Sequence, residues 1–189
     1  MFKRRLMGIA SAFALGCAVL LAGCGGPSAE ELIREDVVSF FDTFVHQEGD
    51  SYDEFVESFS ASAGLDEIGV DDDEFLDSYL DGFAYNIDDL TVDGDTATVT
   101  ITLNCKKMEN TLLLVEEKTA ALYEDPEQLQ DMTDDEINAM IGEMILTSLD
   151  ETELSETTFS VTYTELEEGW SIDQDEAIQG IQTAMLGNM

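Results

Sequence analysis

The chain has 189 residues, of which 43 are Asp or Glu and only 7 are Lys or Arg, giving a formal net charge of −36. A surface of that sign repels nucleic acid and anionic lipid head groups, which excludes DNA and RNA as partners. Strong acidity accompanies disorder where apolar residues are scarce. Here 44% of the chain is hydrophobic, and the acids alternate with periodic apolar positions, so they read as the solvated faces of folded elements.

In chain order, Lys3, Arg4 and Arg5 come first, and an uncharged stretch follows from Leu6 to Cys24. A charged start and an apolar run closing on small residues are the pattern of a secretory signal. Gly8, Ser11 and Gly16 interrupt the run, and Gly25-Gly26-Pro27-Ser28 follows it, so it is short for a membrane span. Leu21-Ala22-Gly23-Cys24 resembles the bacterial lipobox. That resemblance implies cleavage between Gly23 and Cys24 and a diacylglyceryl thioether on Cys24. An ordinary cleaved signal with a chance cysteine, or an uncleaved helical anchor, would be the alternatives. Arg4-Arg5 lacks the flanking residues of twin-arginine export, so general secretion is expected.

This division makes 1–23 a signal peptide, 24–27 a short lipid-anchored tether and 28–189 one extracytoplasmic domain. The part after residue 23 keeps every acid but only Arg34, Lys106, Lys107 and Lys118 as strong cations. Its charge is therefore about −39 over about 166 residues, a length that suits one domain. Of the 3 cysteines, Cys17 leaves with the signal and Cys24 takes the lipid. Cys105 is left alone, and the domain can form no internal disulfide.

Ser28-Ala29-Glu30-Glu31 is a capping box opening a helix, with Ile33, Val37, Phe40, Phe41 and Phe44 at helical spacing up to Glu48-Gly49. Ser51-Tyr52-Asp53-Glu54 is a second box, followed by Phe55, Val56 and Phe59. Ala61–Gly69 reads as a loop. A third helix starts at Asp71–Glu74 and turns Phe75, Leu76, Tyr79, Leu80 and Phe83 inward. The period then switches to two. Tyr85–Val92 is a strand with an irregularity at Asp88-Asp89, and Asp93-Gly94 is a hairpin signal. In the return strand Ala97, Val99, Ile101, Leu103 and Cys105 share one face, and Thr98, Thr100, Thr102 and Asn104 the other.

Residues 110–124 could begin as a strand at Thr111–Val115, but the propensity of Glu116–Leu122 makes the whole stretch helical. Thr133-Asp134-Asp135-Glu136 opens a helix carrying Ile137, Met140, Ile141, Met144, Ile145 and Leu149. Thr157–Leu166 is a strand, Glu167-Glu168-Gly169 a turn and Trp170–Ile172 its return. Asp173 or Asp175 caps a last helix with Ala177, Ile178, Ile181 and Met185. Segregated helices and antiparallel strands mean an α+β fold.

The motifs Val92-Asp93-Gly94-Asp95-Thr96-Ala97-Thr98-Val99 and Glu168-Gly169-Trp170-Ser171-Ile172-Asp173 resemble segments of the nuclear-transport-factor-like (cystatin-like) family found in many small bacterial lipoproteins. Ser171 stands where that family usually has lysine. The resemblance spans roughly residues 28–186 and rests on element order. It implies N-terminal helices followed by a curved, cone-like antiparallel sheet, with a helical pair at 110–149 inserted between two hairpins and a short C-terminal helix. The cone's cavity is an active site in some relatives and filled in others. No catalytic motif carries over.

The chemistry-bearing residues are few. His46 is the only histidine, and acid–base work needs a partner within hydrogen-bond reach, so it reads as a surface or capping residue. Cys105 reads as a buried, inert thiol. Lys106-Lys107 at the strand end would pair with neighbouring acids. Asp71–Glu74, Asp88-Asp89 and Asp93-Gly94-Asp95 are oxygen-rich, but a calcium site needs six to eight converging oxygens. They read instead as a helix N-terminus and turns. Phe40, Phe41, Phe44, Phe55, Tyr79 and Trp170 read as core, with Trp170 against the first helix.

The sequence therefore describes a lipid-anchored extracytoplasmic protein with no catalytic residues, cofactor or metal ligands. Its membrane attachment runs through Cys24, and its activity is a non-enzymatic accessory or binding role. The alternative is capture of a small ligand or cation in the cone pocket.

Self-repulsion among these acids should destabilise the compact state. Sodium chloride shortens the Debye length from about 10 Å at 0.1 M to about 3 Å at 1 M, so the melting temperature of residues 28–189 should rise smoothly with salt. Calcium and magnesium should act alike at lower concentration, without saturating at micromolar levels. A melting temperature flat in salt, or a steep saturating response to calcium alone, would contradict diffuse repulsion.

Overall fold

The structure is a computed structural model that describes residues 26–124 and 132–187. The expected signal peptide at 1–23, the expected cleavage site at Gly23/Cys24 and the expected lipidation site Cys24 lie outside the described residues. Six α-helices and four strands follow in the order α1 (Ala29–His46), α2 (Asp50–Ala63), α3 (Asp72–Leu80), β1 (Ala84–Asp93), β2 (Thr96–Lys106), α4 (Met108–Glu124), α5 (Asp134–Glu151), β3 (Leu154–Leu166), β4 (Gly169–Ile172) and α6 (Gln174–Leu186). The fold is α+β, with an open antiparallel sheet in the order β1-β2-β3-β4.

Local chemistry explains most element boundaries. Ser28 caps α1 by accepting from the Glu31 amide at 3.2 Å, while Glu31 Oε2 accepts from the Ser28 amide at 2.7 Å. Thr133 and Glu136 make the same reciprocal box at α5. Asp71 caps α3 and Asp173 caps α6, each carboxylate oxygen accepting two amides of the first turn. These acids occupy helix N-termini, where the macrodipole favours negative charge.

Three boundaries depart from the sequence reading. The box at Ser51 does not form, because α2 starts at Asp50 behind the N-cap Gly49, at φ 97°, which puts Ser51 inside the helix. The expected loop at 61–69 is mostly ordered: α2 runs to Ala63, and a short 3-10 helix at Leu65–Ile68 sits between Gly64 and Gly69, both at positive φ. Leu65 anchors that turn in the core. β3 begins at Leu154 and not at Thr157, because its ladder with β2 continues to Lys106↔Leu154.

The hairpin matches its expected register. Val92↔Ala97 and Asp93↔Thr96 close it around Gly94, and the β1 ladder slips between Ile87 and Asp89. Every inward residue of β2 is buried, from Ala97 through Val99, Ile101 and Leu103 to Cys105. Val161 and Tyr163 of β3 extend that face. α1 and α6 cover it: Ile33, Val37, Phe40, Phe41 and Phe44 come from α1, and Ala177, Ile181, Ala184 and Met185 from α6. Threonines occupy the opposite, solvent-facing side of the sheet.

The inserted pair α4 and α5 pack on each other, and α5 also rests on α3 and the 3-10 helix. This outer position explains why Ile137, Met140, Ile141, Met144 and Ile145 are only half-buried while Leu149 is fully buried. Trp170 is likewise half-buried, and Ile172 is the fully buried residue of β4. At Trp170 the register has moved to Glu165, near the end of β3, and its side chain packs against the margin of the core.

Gly142 sits where α5 meets the 3-10 helix, and a Cβ there would press on the Ile68 carbonyl oxygen and the Val70 side chain. Gly142→Ala gains up to about 1 kcal/mol of helix propensity but incurs an overpacking cost of about 1–3 kcal/mol against rigid backbone. Thermal melts should show a drop of a few degrees. A rise would mean that the turn at 65–69 yields freely.

Candidate functional site

α1 is pinned to two strands by tyrosines. Tyr163 Oη of β3 donates to Asp36 Oδ2 at 2.8 Å, and Tyr85 Oη of β1 donates to Asp42 Oδ1 at 2.8 Å. Burial raises the Asp36 carboxyl above its ordinary value, and the Tyr163 hydrogen bond only partly opposes that. Burial, then the Asp42 partner, pushes the Tyr85 phenol up to about 12. Both phenols are therefore donors at neutral pH. At the other end of the sheet Tyr79 Oη donates to the Met185 carbonyl at 2.8 Å, and Cys105 Sγ to the Ala184 carbonyl at 3.4 Å. These four bonds lock α1 and α6 over the sheet.

The space they enclose is filled. Between α1, the sheet and α6, a gap lined by Phe40, Phe41, Ile101, Phe159, Val161 and Ile181, among others, has a volume of about 10 Å³. That is room for one water, whereas small-molecule sites run to about 300–1,000 Å³. This gap between α1, the sheet and α6 is too small to admit a small-molecule ligand.

Each residue singled out from the sequence now has a place. Cys105 is buried on the core face, and burial pushes its thiol up to about 11, so it is neutral and unreactive at physiological pH. His46 is exposed at the last residue of α1, whereas Cys105 is buried. Lys106 does not pair with an acid as expected. It is buried, and Nζ donates to the Ser78 carbonyl at 2.7 Å, while Ser78 Oγ donates to Asp150 at 2.8 Å. Ser78 thus separates the ammonium from the carboxylate. The Asp71–Glu74 run is consumed by helix capping. Asp88 accepts from Asn86 and Thr102, and Asp89 from Thr91, so the second cluster is tied into the sheet surface. Among the described residues no three His, Cys, Asp or Glu side chains converge on a metal position.

A second concavity escaped the sequence reading. An open groove of about 280 Å³ lies between β3 and α6, lined by Thr157, Thr158, Phe159, Ser160, Glu176, Gln179, Gly180 and Thr183. Nothing in residue type marks it, because it exists only where β4 stops short of β3's full length.

No family model matches the chain, and no curated protein matches it. A solved structure of a candidate lipoprotein, ycdA from Bacillus subtilis strain 168, aligns with a TM-score of 0.41 and 15% identity over 97% of this chain and 57% of that one. The chain thus spans little more than half of that protein's length. At this level of likeness neither a fold family nor an activity transfers.

The titration of Asp36 has a definite sign. Its carboxyl is raised above the ordinary 3.8 in the folded state, so its contribution to stability is fully present below that value and lost as pH rises through the raised one. Loss of surface charge acts the same way. Glu31 and Glu136 act oppositely: their capping bonds, first to the backbone, hold them below the ordinary 4.5, so their contribution is lost as pH falls through the lowered values. Melting temperature should therefore rise as pH is lowered from neutrality through the raised Asp36 value, and fall again in acid below the ordinary glutamate range. Asp36→Asn, which keeps an acceptor for Tyr163, should reduce the rise. A monotonic fall from pH 7 downwards would contradict this balance.

Proposed function

We propose that this chain is an exported bacterial lipoprotein, lipid-anchored through Cys24 on the extracytoplasmic face of the cell membrane, whose single folded domain, residues 28–189, is a non-enzymatic accessory or binding module. The observation that carries the reading is the order of the first 24 residues: Lys3-Arg4-Arg5, the uncharged stretch, then Leu21-Ala22-Gly23-Cys24. Ser28 caps α1 four residues after Cys24, so the tether is short and the domain stands close to the bilayer. Among the described residues no helix is long and apolar enough to cross a membrane.

The non-enzymatic part is supported by the side chains themselves. Acyl transfer or general acid–base chemistry needs a nucleophile, a base and an orienting group within mutual reach. Here the thiol is buried and neutral and the imidazole is exposed at a helix end. The nuclear-transport-factor-like reading is retained as the proposed fold family. It is supported by a long α1 laid across the inner face of an antiparallel sheet and by the two motif segments, which form the β1–β2 and β3–β4 turns. In this reading the cone is of the filled type, and a partner would be met on its outside. The excess negative charge disfavours nucleic acid as that partner.

Metabolic labelling with a palmitate analogue tests the anchor. Wild-type protein should carry label and migrate as the processed form, whereas Cys24→Ala should accumulate as unlabelled precursor. Equal label on both would overturn the assignment.

A further inference from the structure

β3 is thirteen residues long and β4 only four. β4 pairs with β3 from Tyr163 to Leu166 and no further. At Thr162 the chain beyond β4 still closes the edge, since the Asp173 amide donates to the Thr162 carbonyl at 2.6 Å and the Thr162 amide donates to Glu176 Oε2 at 2.8 Å. Both backbone groups of Thr162 therefore point away from β2. In an antiparallel ladder that orientation recurs every second residue, so the amides and carbonyls of Ser160, Thr158 and Glu156 face the same way. Among the described residues no backbone or side-chain group bonds to these six. They form an unpaired row about 14 Å long, at about 3.4 Å per residue.

The two edges of the sheet differ. β1 is broken by its register slip between Ile87 and Asp89 and bristles with Asp88, Asp89 and Asp93, which discourages strand addition. The β3 ladder runs without a slip over its whole pairing with β2, and its open stretch Glu156-Thr157-Thr158-Phe159-Ser160 contains no proline or lysine. Beside it lies the 280 Å³ groove floored by α6. Gly180 permits this floor, because a Cβ there would overlap the Phe159 ring. Glu176, Gln179 and Thr183 line the groove, and Thr157 Oγ1 is buried in its wall without a hydrogen-bond partner.

We propose that the unpaired β3 edge at Glu156–Ser160, with the α6 groove beside it, docks an extended cationic segment of a partner polypeptide, which adds to the sheet as a further strand. Main-chain bonds to the six free groups supply the affinity, as in other strand-addition complexes. Charge selects the occupant. Glu153, Glu156, Asp175 and Glu176 flank the edge and are exposed, no cation lines the groove, and the nearest in register, Lys106, is turned onto Ser78. A second copy of a chain with net charge −36 is repelled from such an edge. An alternating lysine-and-apolar strand matches it, setting ammonium groups against the acids while its backbone pairs. The proposal deepens the binding-module reading, and its outcome is independent of lipid labelling at Cys24.

The test uses the full chain in detergent micelles and a fluorescein-labelled nonapeptide of alternating lysine and valine, read by anisotropy. Binding is expected, with slowed hydrogen exchange at the Thr158 and Ser160 amides. The same peptide with prolines in place of valines keeps its charge but cannot pair, and it should bind about tenfold more weakly. A glutamate–valine peptide should not bind. Ser160→Pro removes one outward amide and the side-chain bond to Thr100 but no backbone bond to β2, and should weaken binding by about tenfold. If that variant fails to fold, Glu156→Gln, with a two- to fivefold expected loss at about 0.1 M salt, and the wild-type exchange pattern decide the matter. Equal binding of the proline peptide, protection elsewhere on the protein, or protection of the same amides by rising protein concentration alone would each overturn the proposal.

Discussion

Ala97, Val99, Ile101, Leu103 and Cys105 are each no more than 2% exposed, and one strand can bury five side chains on one face only if other elements lie across it. α1 and α6 are those elements. β2 is central in the sheet, paired on both sides along its length, so its backbone is satisfied and its inner face is free to act as the platform. Truncating one of these side chains would leave a cavity with little freedom to collapse, since each is enclosed by helix on one side and strand on the other. The phenol pins of Tyr163 and Tyr85 on α1 and of Tyr79 on α6 then fix where the helices sit. Each of these three phenols meets an acceptor, which avoids the cost of an unsatisfied polar group.

The extreme charge is sorted by position. Some acids serve the backbone, as caps on α1, α3, α5 and α6. Asp36 and Asp42 serve the tyrosines. Others, such as Asp88, Asp89, Asp150 and Glu176, accept hydrogen bonds from neighbouring groups, and the excess of exposed acids is mutually repulsive. Only a few cations are available to offset them, and two of these are committed to structural contacts: Lys106 to the Ser78 carbonyl and Lys118, 2.8 Å from Glu151. Such a surface repels polyanions and other copies of the same chain.

A filled interior moves the question of function outward. With about 10 Å³ between the layers, the packed core provides shape and rigidity, and the proposed recognition falls to edges and grooves. The short β4 is decisive in this respect. By ending after four residues it leaves β3 unpaired beside α6, so the fold combines a rigid platform with one unfinished edge.

The sequence made legible the element order, the hairpin at Asp93-Gly94, the slip at Asp88-Asp89, the inward face of β2 and the helix starts at Ser28, Asp71 and Thr133, with Asp173 as one of two candidate caps for α6. These follow from local chemistry: turn geometry, capping spacing and strict periodicity of two or 3.6. It failed where the answer depended on what packs against a segment. α2 starts at Asp50, one residue ahead of Ser51, the ladder with β2 draws β3 out to Leu154, and Trp170 packs against the core yet stays half-buried. Lys106 went to a carbonyl of α3, a partner 28 residues away in sequence. The pairing of Asp36 and Asp42 with Tyr163 and Tyr85, the size of the interior gap and the open β3 edge are likewise products of tertiary structure. They are set by the relative lengths and crossing of elements distant in sequence, which no local pattern of residues encodes.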